Sequence, residues 1–87
     1  MNTYEYQGFH IPNRMMNALQ RYIQQRKQPG GFLGAVLEND LIEACGHADE
    51  ENLRNLPAYA AYLYNEAPSQ CFGSREKVKA WLTGGAT

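Results

Sequence analysis

Eighty-seven residues, a formal net charge of −1 and two cysteines point to one small domain. The charge argues against a general nucleic-acid binder, which carries a strongly basic face. Two cysteines make no disulfide scaffold, and no apolar run approaches the ~20 residues that span a bilayer. The opening Met1-Asn2-Thr3-Tyr4-Glu5 has neither a basic nor an apolar leader region, so a cytoplasmic protein with reduced thiols is expected. A chain this short buries only roughly 60–65% of its unfolded surface. Its six tyrosines exceed what such a core covers, so some are expected in an interface or pocket, and a homo-oligomer is expected.

In chain order, residues 1–11 alternate weakly through Tyr4, Tyr6, Phe9 and Ile11, which suits an extended arm or one short strand. Pro12 opens a first helix, 12–28, because a proline N–H is dispensable there. Met15, Met16, Leu19, Tyr22 and Ile23 form its apolar face. Pro29-Gly30-Gly31 interrupts it, and a second helix is expected over 32–45. Leu33, Val36, Leu37, Leu41 and Ala44 share a face there, with Asp40 inside the stripe and Gly46 as a left-handed cap. A carboxylate on such a stripe needs a hydrogen-bond or charge partner, or faces a ligand pocket. Asp49 caps a short helix over 49–56, with Glu50 and Glu51 in its first turn. Pro57 starts the next, 57–66, with Tyr59, Tyr62 and Leu63 on one face and Tyr64 elsewhere. Ser74 caps the last, 74–83, anchored by Val78, Trp81 and Leu82 and stopped by Gly84-Gly85, with Ala86-Thr87 a frayed tail. The expected fold is all-α, a compact bundle of four to five short helices with an extended N-terminal arm, forming a single small helical domain over 1–87.

Charge is unevenly spread. Arg14, Arg21, Arg26 and Lys27 against Glu5 give residues 1–28 a balance of +3. Residues 29–53 hold six acids (Glu38, Asp40, Glu43, Asp49, Glu50, Glu51) and no Lys or Arg, a balance of −6, and the remainder returns to +2. Such blocks either draw helices together or offer an acidic surface to a basic partner.

Four chemistries compete for these residues. Cys45, His47, Cys71, His10 and Asp49 are ligand types without metal-site spacing, so no metal is expected. Asp40, Glu43 and His47 fall at i, i+3 and i+7, a spacing for proton transfer, but Gly46 is expected to break that helix and no enzyme signature accompanies it. The expectation is a non-enzyme without cofactor. Anion binding is favoured by Gly30 and Gly31, which let backbone approach a ligand at a helix start. Arg21, Arg26 and Lys27 supply cations for phosphate, and Tyr22, Phe32, Tyr59 and Tyr62 supply rings for a base, with Asp40 as a pocket carboxylate. Recognition of a protein through a helix face is the fourth.

The run from Ile11 to Leu82 resembles a group of short proteins of tailed-phage genomes and bacterial prophages. The resemblance rests on Ile11-Pro12, Arg21-Tyr22-Ile23, Pro29-Gly30-Gly31-Phe32-Leu33, Asn39-Asp40-Leu41, Leu56-Pro57-Ala58-Tyr59, Tyr64-Asn65 and Gly73-Ser74. It implies a phage accessory protein acting in a bacterial host cytoplasm and carries over no catalytic residue. By analogy with other small phage proteins, the expected function is to bind and neutralise a host component. The first expectation is a sponge that sequesters a nucleotide-type defence signal, cyclic nucleotide or ADP-ribose-like. The alternative is an inhibitor that binds a host protein directly.

Overall fold

The N-terminal alternation resolves into a hairpin. β1 (Tyr4–Tyr6) pairs antiparallel with β2 (Phe9–Ile11), with Glu5 opposite His10. The two-residue turn Gln7-Gly8 has φ of 50° and 88°, the mirror-image turn geometry that follows the twist of paired strands. The computed structural model describes residues 4–84. The first three residues of the expected arm, the expected stop at Gly85 and the tail Ala86-Thr87 lie outside the described residues.

Behind the hairpin the chain is predominantly helical, with six α-helices among the described residues. The small sheet replaces the strictly all-α arrangement. Helix α1 (Asn13–Gln25) buries Met16, Leu19 and Tyr22, the expected stripe. It stops short of residue 28 because Arg26 turns left-handed (φ 57°) while its N–H still reaches the Tyr22 carbonyl.

The largest departure follows. One helix over 32–45 is replaced by α2 (Gly31–Leu37) and α3 (Leu41–His47), folded back against each other. Asn39 adopts φ 63°, a conformation asparagine tolerates better than most side chains. Asp40 N donates to the Ala35 carbonyl and Asn39 N to that of Val36, the bond pair that closes a helix around a left-handed residue. Asp40 then caps α3, its Oδ1 accepting from Glu43 N at 3.2 Å. It therefore starts a helix instead of sitting inside an apolar stripe. Gly46 lies within α3 rather than capping it, and Leu41 stands 67% exposed instead of in the core.

Helices α4 (Glu50–Arg54) and α5 (Leu56–Asn65) meet at Asn55, and a single 3₁₀ turn (Ser69–Cys71) leads to α6 (Arg75–Leu82). Asp49 and Ser74 cap α4 and α6 as expected, accepting from Asn52 N and Lys77 N. The Asn52 N–H, and then Arg14, hold the Asp49 carboxyl below the usual carboxylate range. Arg14 on α1 pairs with Asp49 at 3.1 Å and Glu51 at 3.2 Å, so part of the acid block does tie helices together.

Polar groups inside the core are matched. Tyr22 Oη donates to the Cys71 carbonyl at 2.7 Å, and Tyr59 Oη to Asn52 Oδ1 at 2.6 Å. Asn55 accepts from His10 N and donates to the Glu51 carbonyl, which pins β2 to α4. Tyr59→Phe should lower stability by ~1–3 kcal/mol in urea denaturation, because Asn52 Oδ1 would stay buried without its donor. An unchanged midpoint would show that Asn52 finds another partner.

Candidate functional site

Two concavities lie on either side of the α2–α3 turn. The first, about 470 Å³, sits under the hinge. Pro29, Gly30, Gly31 and Gly34 form one side, and Glu38, Asp40, Glu43, His47 and Arg75 line the remainder. A Cβ on Gly31 would lie 3.3 Å from His47 Nδ1, so the hinge backbone rests against the last turn of α3. His47 Nε2 stands 3.3 Å from Glu43 Oε1, and Arg75 Nε stands 3.6 Å from Glu38 Oε1. Asp40 uses one oxygen as the α3 cap, and its other oxygen makes no hydrogen bond among the described residues. Three carboxylates against one guanidinium leave the cleft net negative when His47 is neutral.

The second is an apolar groove of about 780 Å³ between the α2–α3 turn and α5. Val36, Leu41, Leu56, Ala60, Leu63 and Phe72 line it, with Tyr6 and Tyr64 at its margins and Asn39 and Asn65 as its amides. None of its lining residues is charged.

The expected ligand residues divide. Gly30, Gly31 and Asp40 do meet at the hinge cleft. Arg21 and Lys27 are exposed but line neither cavity. Arg26 is held elsewhere, its guanidinium 4.1 Å over the Trp81 ring and Nη1 donating to the Trp81 carbonyl at 2.8 Å. Trp81 Nε1 donates in turn to the Tyr22 carbonyl at 3.0 Å, so the cation locks α6 to the end of α1.

The rings are also committed within the chain. Tyr22 and Tyr59 are 0% and 1% exposed, and Phe32 packs edge-on against Tyr59 at 5.1 Å. Tyr62 is half-buried under Tyr4 of the hairpin at 5.3 Å. Within one chain Tyr22, Tyr59 and Phe32 are closed to a base, while Tyr62 keeps part of its surface exposed. Burial raises the Tyr22, Tyr59 and Tyr62 hydroxyls above the ordinary tyrosine range.

Sequence spacing had already grouped Asp40, Glu43 and His47, and the uninterrupted α3 places Glu43 and His47 one turn apart. The pair is 62% and 56% exposed to water, not enclosed in a desolvated pocket. Glu38 and Arg75 were missed as site residues. Arg75 lies 37 positions beyond Glu38, and no local pattern signals that meeting. Among the described residues no group of three or more His, Cys, Asp or Glu side chains is placed to hold a metal ion. No helix among them is long and apolar enough to cross a membrane.

No family model, curated protein or solved structure matches the chain.

A tyrosine whose folded pKa is raised contributes stability present below its unfolded value and lost as pH rises. In a spectrophotometric titration, the last phenolate absorbance should therefore appear only above pH ~10, together with loss of helical circular dichroism. All six tyrosines ionising while helicity is retained would contradict the closed placement of Tyr22 and Tyr59.

Proposed function

We propose that the protein is a non-catalytic binding protein that neutralises a host component by direct contact with a host protein. In this reading a lysine or arginine of that protein enters the cleft under the hinge. The observation that carries it is the convergence of Glu38, Asp40 and Glu43 on one cavity opposite the bare backbone of Gly30 and Gly31. A cationic side chain entering there gains carboxylate partners at both ends of the α2–α3 turn, and charge-assisted hydrogen bonds are the stronger kind. Arg75 is exposed and pairs with Glu38 at only 3.6 Å, so an incoming cation competes with a weak surface contact. The phage resemblance supplies the setting, a small protein acting on its bacterial host.

The nucleotide sponge draws less support. Phosphate placed beside Gly30 and Gly31 would meet carboxylates, while Arg26 and the rings meant to assist are engaged elsewhere in the chain.

Immobilised wild-type protein should retain one host protein from bacterial lysate. That protein should be released at ~1 M salt, where the screening length falls to ~3 Å. Glu43→Lys, at an exposed α3 position, should lose most of the retention while keeping its fold. Retention indifferent to both salt and Glu43→Lys would overturn the proposal. So would stabilisation by a cyclic nucleotide or ADP-ribose derivative with no protein retained.

A further inference from the structure

One member of the hinge cleft, the His47 imidazole, is of the kind that changes charge near neutral pH. Its ring lies against the hinge backbone. A Cβ on Gly31 would stand 3.3 Å from Nδ1 and 3.5 Å from Cγ, so the missing side chain makes room for the ring. The opposite edge, at Nε2, stands 3.3 Å from Glu43 Oε1. His47 therefore bridges the hinge to a carboxylate that the proposed cationic side chain would also use.

The other charged groups of the cleft come from three elements. Asp40 and Glu43 belong to α3 and its cap, Glu38 ends α2, and Arg75 opens α6. Gln28, Pro29, Gly30 and Gly31 of the hinge add none. With a neutral ring, three carboxylates and one guanidinium leave the cleft at −2, and a proton on His47 halves that to −1.

We infer that a proton on His47 and a cationic side chain compete for this cleft. The inference rests on the cation reading given above and adds its regulation. The partner is held at about pH 8 and released toward about pH 5.5. Two effects act in the same direction. The imidazolium places a like charge beside the entering ammonium or guanidinium, and its Nε2–H engages Glu43 in a charge-assisted hydrogen bond. Repulsion between two unit charges a few ångströms apart at a wet surface changes affinity about 5-fold. Carboxylates ordinarily titrate at about 4, below this window, which leaves the imidazole as the group that responds. His10, the second of two histidines, pairs instead with Glu51 at 3.6 Å and lines neither cavity.

Fluorescence anisotropy of a labelled, N-acetylated lysine-rich peptide at constant ionic strength tests this. Wild type should lose affinity about 5-fold between about pH 8 and about pH 5.5. His47→Gln should bind at both as wild type does at the higher pH, and His10→Gln should follow wild type. Binding is reciprocal, so saturating peptide should also move the His47 ring titration, followed by proton NMR, to lower pH. Wild-type binding that ignores pH, an equal loss in His47→Gln, or a ring titration unmoved by bound peptide would each overturn this inference while leaving the cation reading in place. No binding at either pH would overturn the cation reading and this inference with it.

Discussion

Everything distinctive in this molecule follows from the chain turning at Asn39-Asp40. A helix continued over 32–45 would run straight for ~21 Å at 1.5 Å per residue. It would hold Asp40 in its apolar stripe, where a bare carboxylate is costly. Asparagine takes the left-handed conformation at modest cost, and aspartate starts a helix well, so the pair ends one helix and opens the next. The resulting fold-back brings Glu38, Asp40 and Glu43 around a cavity facing the glycines of the hinge. It also lifts Leu41 and Ile42 out of the core.

Two arginines outside the cleft help to hold the scaffold. Arg14 joins α1 to the caps of α4, and Arg26 joins the end of α1 to Trp81 on α6. Arg26 is left-handed, a conformation a non-glycine residue keeps only when its surroundings hold it. Its ring contact and its bond to the Trp81 carbonyl supply that restraint. With these cations used inside the chain, the hinge cleft keeps an excess of negative charge. The cleft is polar and the groove apolar because α3 presents different faces to each, with Glu43 and His47 on one side and Leu41 and Ala44 on the other.

Periodicity and capping chemistry made much of the fold legible. Met16, Leu19 and Tyr22 announced the buried face of α1, and Asp49 and Ser74 announced two helix starts that the structure realises. The hairpin was half visible, since Gln7-Gly8 is a weaker turn signal than Asn-Gly and each strand has only three residues. The break at Asn39-Asp40 was hidden because Leu37, Leu41 and Ala44 keep helical spacing across it. Of the site, the glycines and Asp40 were legible as a hinge and an anomalous carboxylate. The cation–ring pairing was not, because Arg26 and Trp81 lie 55 positions apart and only the tertiary fold joins them. Tyr22 and Tyr59 enter the core because Cys71 and Asn52 supply hydrogen-bond partners that composition does not reveal, while Tyr6 and Tyr64 stay exposed along the groove.

The role proposed for the hinge cleft is to receive a cation. The most direct test is an amide NMR titration of the 87-residue chain with a short lysine-rich peptide, followed by a parallel titration with ADP-ribose. The peptide should move the Gly30, Gly31, Gly34 and Glu43 signals together, and ADP-ribose should leave them in place. Shifts produced by ADP-ribose at Arg26, Lys27 and Tyr62, with the hinge glycines silent to the peptide, would contradict it.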